Sequence, residues 1–155
     1  MIGWTNAWNT IIRKKIWPDH DLKFLMKLPP QTNILQFVRR YFIRAGFTNE
    51  LLTDEVVRIV YADTASNETA VPSMKKMMMT FDIYVKKDEM YNLGDDRLVS
   101  RMDLIVERLD KLLRSERYLA GTAYRFWPAD GGLDLGTRTV GYARRTISYY
   151  YMKVM

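Results

Sequence analysis

Gly94-Asp95-Asp96 is the triplet in this chain whose residue types most directly suggest chemistry. In RNA polymerase active sites such a triplet supplies paired carboxylates that hold two metal ions. Here it stands just ahead of a helical pattern. Asp95 or Asp96 is therefore expected to cap that helix, where the dipole favours a carboxylate. A polymerase also needs several hundred residues more than the 155 present. Asp19-His20-Asp21 offers three metal ligands in a row. Consecutive residues lack the helical or strand spacing that aims side chains at one ion, so helix capping by Asp19 or Asp21 beside an exposed histidine is expected instead. Gly131-Gly132-Leu133-Asp134-Leu135-Gly136 is glycine-rich, but no Gly-Lys-Ser/Thr follows and no helix opens after it, so a hairpin loop explains it better than a phosphate cradle. Val140-Gly141-Tyr142-Ala143-Arg144 matches part of an RNA-recognition strand motif. Arg144 stands where the second ring belongs, and a stacking platform needs both.

Composition narrows the chemistry further. The chain has no cysteine and a single histidine, His20. That removes disulfides, thiolate metal sites and a cysteine nucleophile, and leaves little from which to build a Ser-His-Asp triad. No catalytic, cofactor-binding or metal-binding residue is predicted, and the chain is expected not to be an enzyme. With 48% hydrophobic residues it is long enough for one domain with a real core. No run of about 18 apolar residues appears, so no membrane span is expected, and Met1 to Trp17 lacks the pattern of a signal peptide. The formal charge of +6 permits contact with nucleic acid or an acidic surface. Its clusters, Arg13-Lys14-Lys15, Arg39-Arg40 and Arg144-Arg145, are spread along the chain.

The elements that must position these residues are legible from periodicity. Met77 to Lys86 alternates strictly, with Met77, Met79, Phe81, Ile83 and Val85 on one face and Thr80, Asp82 and Lys86 on the other. Leu98, Met102, Ile105, Leu109 and Leu112 form a helical stripe between about Arg97 and Arg114. A sheet burying one face under one long helix is an α+β unit of two layers, mostly antiparallel, preceded by N-terminal helices. Val56 to Ala62 reads as a strand pairing with Met77–Lys86 through a long loop, Asp63 to Ser73. Leu119 to Trp127 and Tyr142 to Val154 read as further strands joined by a loop over Pro128 to Gly136. Upstream, Trp4, Trp8, Ile11, Ile12 and Ile16 suggest an amphipathic helix ended by Pro18. A second helix is predicted from an N-cap at Thr32 through Phe42 to a C′ glycine at Gly46, with Arg39, Arg40 and Arg44 on its polar side. The expected organisation is one domain, 1–155, in which 1–30 is a helical arm and 31–155 the α+β core.

Several residues stand out as candidates for protein contact. Trp4 and Trp8 sit in the arm, and Trp is enriched at interfaces. Met78 and Tyr84 point away from the buried face of their strand. Asn67 lies in the first long loop, Asp130 and Leu133 in the second, and Tyr149, Tyr150 and Tyr151 form an aromatic end to the last strand.

From Val56 to Tyr151 the layout resembles the tail terminator, or tail-to-head joining, family of tailed bacteriophages. The likeness lies in Thr80-Phe81-Asp82-Ile83-Tyr84-Val85 followed by Arg101-Met102-Asp103-Leu104-Ile105-Val106-Glu107-Arg108-Leu109, together with the small size and the aromatic final strand. The arm, with its tryptophans and Pro29-Pro30, departs from the simplest members. The resemblance implies a structural virion protein, made in the host cytoplasm. It implies a ring, usually of six subunits, at the head–tail junction. Such a ring binds the tail tube on one face and the head connector on the other, with DNA passing through its lumen without specific binding. The contrasting expectation is a small basic nucleic-acid-binding module that uses Arg39, Arg40, Arg44, Arg144 and Arg145.

Overall fold

The structure is a computed structural model, and it describes residues 11–45, 55–65, 74–93, 99–114, 127–128, 134–136 and 141–154. Trp4, Trp8, Gly46, Asn67, Asp95, Asp96, Leu98, Asp130 and Leu133 lie outside the described residues. So do most of the expected Leu119–Trp127 strand and most of both long loops.

Asp19 takes an extended conformation and its carboxylate accepts the Leu22 amide, which starts helix α1, His20–Met26. A π-helical turn, Ile12–Ile16, precedes it. Lys27 closes α1 in the left-handed region (φ 53°), with its own amide donating to the Phe24 carbonyl and the Leu28 amide to the Lys23 carbonyl. The next helix is capped by Asn33 and not by Thr32. Asn33 and Gln36 exchange side-chain and backbone bonds in a full capping box. That helix, α2 (Ile34–Gln36), runs into a second π-helical turn, Phe37–Tyr41, and ends there. The expected continuation through Arg44 does not form, because Phe42–Arg44 becomes strand β1. It pairs in parallel with the strand Val57–Ala65 (β2), burying Phe42 and Ile43, and this pairing outweighs local helical spacing.

The long strand β3, Met74–Lys86, pairs antiparallel with β2 from Val57↔Val85 to Ala65↔Met77. A 3₁₀ turn, Lys87–Glu89, leads on toward the long helix α3, Arg101–Arg114. Its cap is Ser100, whose hydroxyl accepts the Asp103 amide. Asp95 and Asp96, the expected caps, lie outside the described residues. Met102, Ile105, Leu109 and Leu113 are its buried stripe, so the inward position is Leu113 and not Leu112. Burying those four side chains contributes a gross gain of about 6–12 kcal/mol, an upper bound because the unfolded chain already hides part of that area.

Strands β4 (Trp127–Pro128) and β5 (Asp134–Gly136) both pair antiparallel with the final strand β6, Tyr142–Val154. β6 pairs along all of β3, from Met74↔Val154 to Lys86↔Tyr142. The sheet order is β1-β2-β3-β6-β4, with β5 also on β6. Among the described residues only the β1–β2 pair is parallel. The fold is α+β, a mostly antiparallel sheet with helices α1 and α3 on one face. The core between them gathers Phe42, Ile59, Met79, Phe81, Ile83, Ile147 and Tyr151 from the sheet, with Ile16, Leu22, Met26, Ile105 and Leu109 from the helical layer.

Candidate functional site

Register assigns the open face of the sheet row by row. Thr64, Met78, Tyr150 and Trp127 share one row, and Ala62, Thr80 and Ser148 the next. Val60, Asp82, Thr146 and Asp134 follow, then Arg58, Tyr84, Arg144 and Gly136. The central rows are polar and knitted: Thr80 and Ser148 hydroxyls lie 3.2 Å apart, and the Thr146 hydroxyl donates to Asp82 at 2.5 Å. Met78, Tyr84 and Tyr150, all half-buried, flank this ladder at its two ends. Cross-strand pairing thus joins the hydroxyl and carboxylate groups of the two central rows and leaves larger side chains at the margins of the face.

One end of the open face is latched by charge. The Glu55 carboxylate is buried and receives Arg40 at 2.7 Å and Arg58 at 2.9 Å. Arg58 also donates to the Arg40 carbonyl at 3.0 Å, and the Tyr142 hydroxyl donates to the Glu55 carbonyl at 2.7 Å. A carboxylate held by two guanidinium groups is a clamp between the Phe37–Tyr41 turn, β2 and β6, and it is poorly placed to act as a base.

On the helical side, ion pairs tie the arm to α3. Arg108 binds both Asp19 oxygens, so the N-cap of α1 is also a salt-bridge partner. That hydrogen bond holds the Asp19 carboxyl below the usual carboxylate range, against the opposing effect of partial burial. Arg101 is buried and donates to the Leu25 carbonyl at 2.6 Å, the Glu89 carbonyl at 2.8 Å and Asn92 at 3.1 Å. Burial lowers its pKa, with the nearby Glu89 carboxylate opposing. Glu89 is itself held acidic, first by the Asn92 hydrogen bond and then by Lys27. Tyr149 donates to Asp110 at 2.7 Å, and burial together with that carboxylate raises its pKa strongly.

Phe24 projects from α1, 69% exposed. It forms a wall of three shallow clefts. One, of about 290 Å³, runs between α1 and α3 along Asp21, Leu104 and Arg108. The others, of about 230 and 270 Å³, border Trp17 with Pro29-Pro30, and Leu93 with Arg101. Leu35 and Tyr91 are the other large exposed hydrophobic residues among those described. The sequence reading missed Phe24. Its neighbours Leu22, Leu25 and Met26 are buried, so Phe24 breaks the stripe of its own helix, and that break was the available signal.

The predicted contact residues separate. Met78, Tyr84 and Tyr150 share the open face. Tyr149 (3% exposed) and Tyr151 (0%) do not join them, because alternation along β6 turns both into the core, where Tyr149 meets Phe81 edge-on at 6.2 Å. The five arginines proposed for nucleic acid do not form one patch. Arg40 pairs with Glu55 and Arg44 with Asp63. Arg145 pairs with Asp103 of α3 on the helical side, while Arg144 falls on the open face. Arg39 is exposed on the turn before β1. Asp19 is committed to Leu22 and Arg108, which dissolves the Asp19-His20-Asp21 triplet as a ligand set. Among the described residues no group of three or more His, Cys, Asp or Glu is placed to hold a metal ion. No described helix is long and apolar enough to cross a membrane.

A protein-family model described as YomW matches residues 19–149. No curated protein matches the chain.

Proposed function

Because the chain belongs to the YomW family, a phage-derived family, we propose that it is a non-enzymatic structural protein of a tailed-phage virion, a ring subunit at the head–tail junction. Family membership supports the phage setting. The observation that carries the structural role is the two-sidedness of the sheet. One face is filled by the protein's own helices. The other carries a satisfied polar ladder between Met78, Tyr150 and Tyr84, which suits repeated contact with a neighbouring subunit. The short border strands add to this. Among the described residues β1 pairs with only Ile59 to Tyr61 of the nine-residue β2, and a sheet edge of this kind can pair across subunits. Heterologous contacts of this kind close into rings when the rotation closes.

In this reading the ring contacts the tail tube on one side and the head connector on the other, and DNA passes through the lumen. Trp4, Trp8 and the loops around Asn67, Asp130 and Leu133 contribute further contacts. Negative-stain microscopy of the purified protein at high concentration, beside particles of the phage that encodes it, tests the proposal. Rings matching a disc at the junction are expected. A protein that stays monomeric and is absent from purified particles would refute it.

A further inference from the structure

A contact that closes into a ring joins two different surfaces of one chain, so the open sheet face needs a complementary surface elsewhere on the molecule. The register gives the open face its relief. Met78 and Tyr150 share one row, and Tyr84 and Arg144 share another six residues along β3, roughly 20 Å away at about 3.3 Å per residue. Between these rows lie Ala62, Val60, Thr80, Asp82, Ser148 and Thr146, all smaller than the side chains at either end. They make a shallow trough across three strands, long enough to receive a helix about 10–12 Å in diameter. On the helical side, Phe24 stands 69% exposed on α1, with the exposed residues His20, Asp21 and Lys27 within one turn of it. The buried stripe of α1, Leu22, Leu25 and Met26, holds that helix in place from beneath.

We infer that the Phe24 side of α1 in one copy docks into this trough of a second copy, with Asp21 toward Lys86. This contact rests on the open face being the assembly face, and it names what covers that face. Charge favours it. The Tyr84 end of the trough carries Arg144 and, two residues beyond Tyr84 on the same face, Lys86. The largest cleft beside Phe24 is lined by Asp21, Glu107, Arg108 and Lys111. Arg108 is already held by Asp19, which leaves two carboxylates to one lysine there. The Asp21 side chain is 75% exposed, so a cation arriving from another copy can reach it. Shape favours it as well. Phe24 is a knob between clefts, and Met78 and Tyr150 give the trough a wall of adaptable and aromatic side chains to pack against it. Because α1 lies on the sheet face opposite the trough, each subunit presents both surfaces at once, and the contact is head-to-tail.

The chain has no cysteine, so introduced thiols report cleanly. Full-length copies carrying only His20→Cys, beside Phe24, are mixed at high concentration with copies carrying only Ser148→Cys, in the trough, and treated with a short bismaleimide. The mixture should give a cross-linked pair containing one copy of each variant, and neither variant alone should cross-link. Adding Phe24→Glu to the His20→Cys copy should lower the yield about tenfold or more, as loss of an interface anchor does. Its thermal midpoint should stay where it was, because Phe24 is exposed. Lys86→Glu in the trough copy should lower the yield by less, and Asp21→Lys in the other copy should restore it. Mixed cross-linking that survives Phe24→Glu would overturn the contact. Cross-links between two Ser148→Cys copies, with none in the mixture, would overturn it and leave the open face meeting itself. Rings that give no mixed cross-link would refute this contact alone and leave the ring standing. Open filaments with the same Phe24 dependence would support the contact and refute the ring. No cross-link and no assembly would overturn both.

Discussion

Along β3, Met77, Met79, Phe81, Ile83 and Val85 are buried, while Met78, Thr80, Asp82 and Tyr84, the residues between them, are half-buried. The two sets share one backbone and differ in what meets them. The first set meets α3 and the arm, and its aromatic member, Phe81, lies 6.2 Å from Phe42 of β1 and 6.2 Å from Tyr149 of β6. The second meets its own cross-strand neighbours through hydroxyl and carboxylate groups. Stability is therefore concentrated on one face, and the other is free to be selected for contact.

Substitutions on the two faces of β3 test that division. Phe81→Ala should cost about 3–5 kcal/mol, because it removes a buried ring and leaves a cavity. Tyr84→Ala on the opposite face should cost under about 1 kcal/mol. Urea midpoints read both, and equal losses would end the distinction between faces. Within the helical layer, Arg101→Met should cost about 2–3 kcal/mol, since the Leu25 and Glu89 carbonyls lose a buried donor. Arg145→Met, whose partner Asp103 is exposed, should cost well under about 1 kcal/mol by the same measurement.

Asp19→Asn preserves the cap and removes the charge pair with Arg108, and should cost about 1 kcal/mol at neutral pH. The folded pKa of Asp19 lies below its unfolded value. Its contribution is therefore complete above the unfolded carboxylate pKa of about 4 and is lost as pH falls through the folded value. The stability gap between wild type and Asp19→Asn should accordingly close in acid. Smallest of all, Arg114→Ala breaks only the exposed i,i+4 pair with Asp110 and should cost about 0.3–0.5 kcal/mol.

The alternation of β3, the extent of β6 and the existence of α3 were legible because one-sided burial writes a period into sequence. So was the outward placement of Met78 and Tyr84. The β1 strand was not legible. Phe42 carries helical spacing with Val38, and only the arrival of β2 alongside makes Phe42–Arg44 a strand. The Tyr149-Tyr150-Tyr151 run misled in the same way. Three identical residues look like one aromatic patch, yet strand alternation divides them between core and surface. The Glu55 clamp left no local signature, because its partners Arg40, Arg58 and Tyr142 come from three separate elements.

The adjacent methionines offer the most direct test of the central claim that the open face is the assembly face. Met77 and Met79 are buried in the core and Met78 is half-buried on the open face. Peroxide footprinting with mass spectrometry reads their oxidation separately. In the free protein Met78 should oxidise well ahead of Met77 and Met79. In intact phage particles Met78 should be protected to the level of its buried neighbours. A Met78 that oxidises in particles as fast as in the free protein would contradict the account.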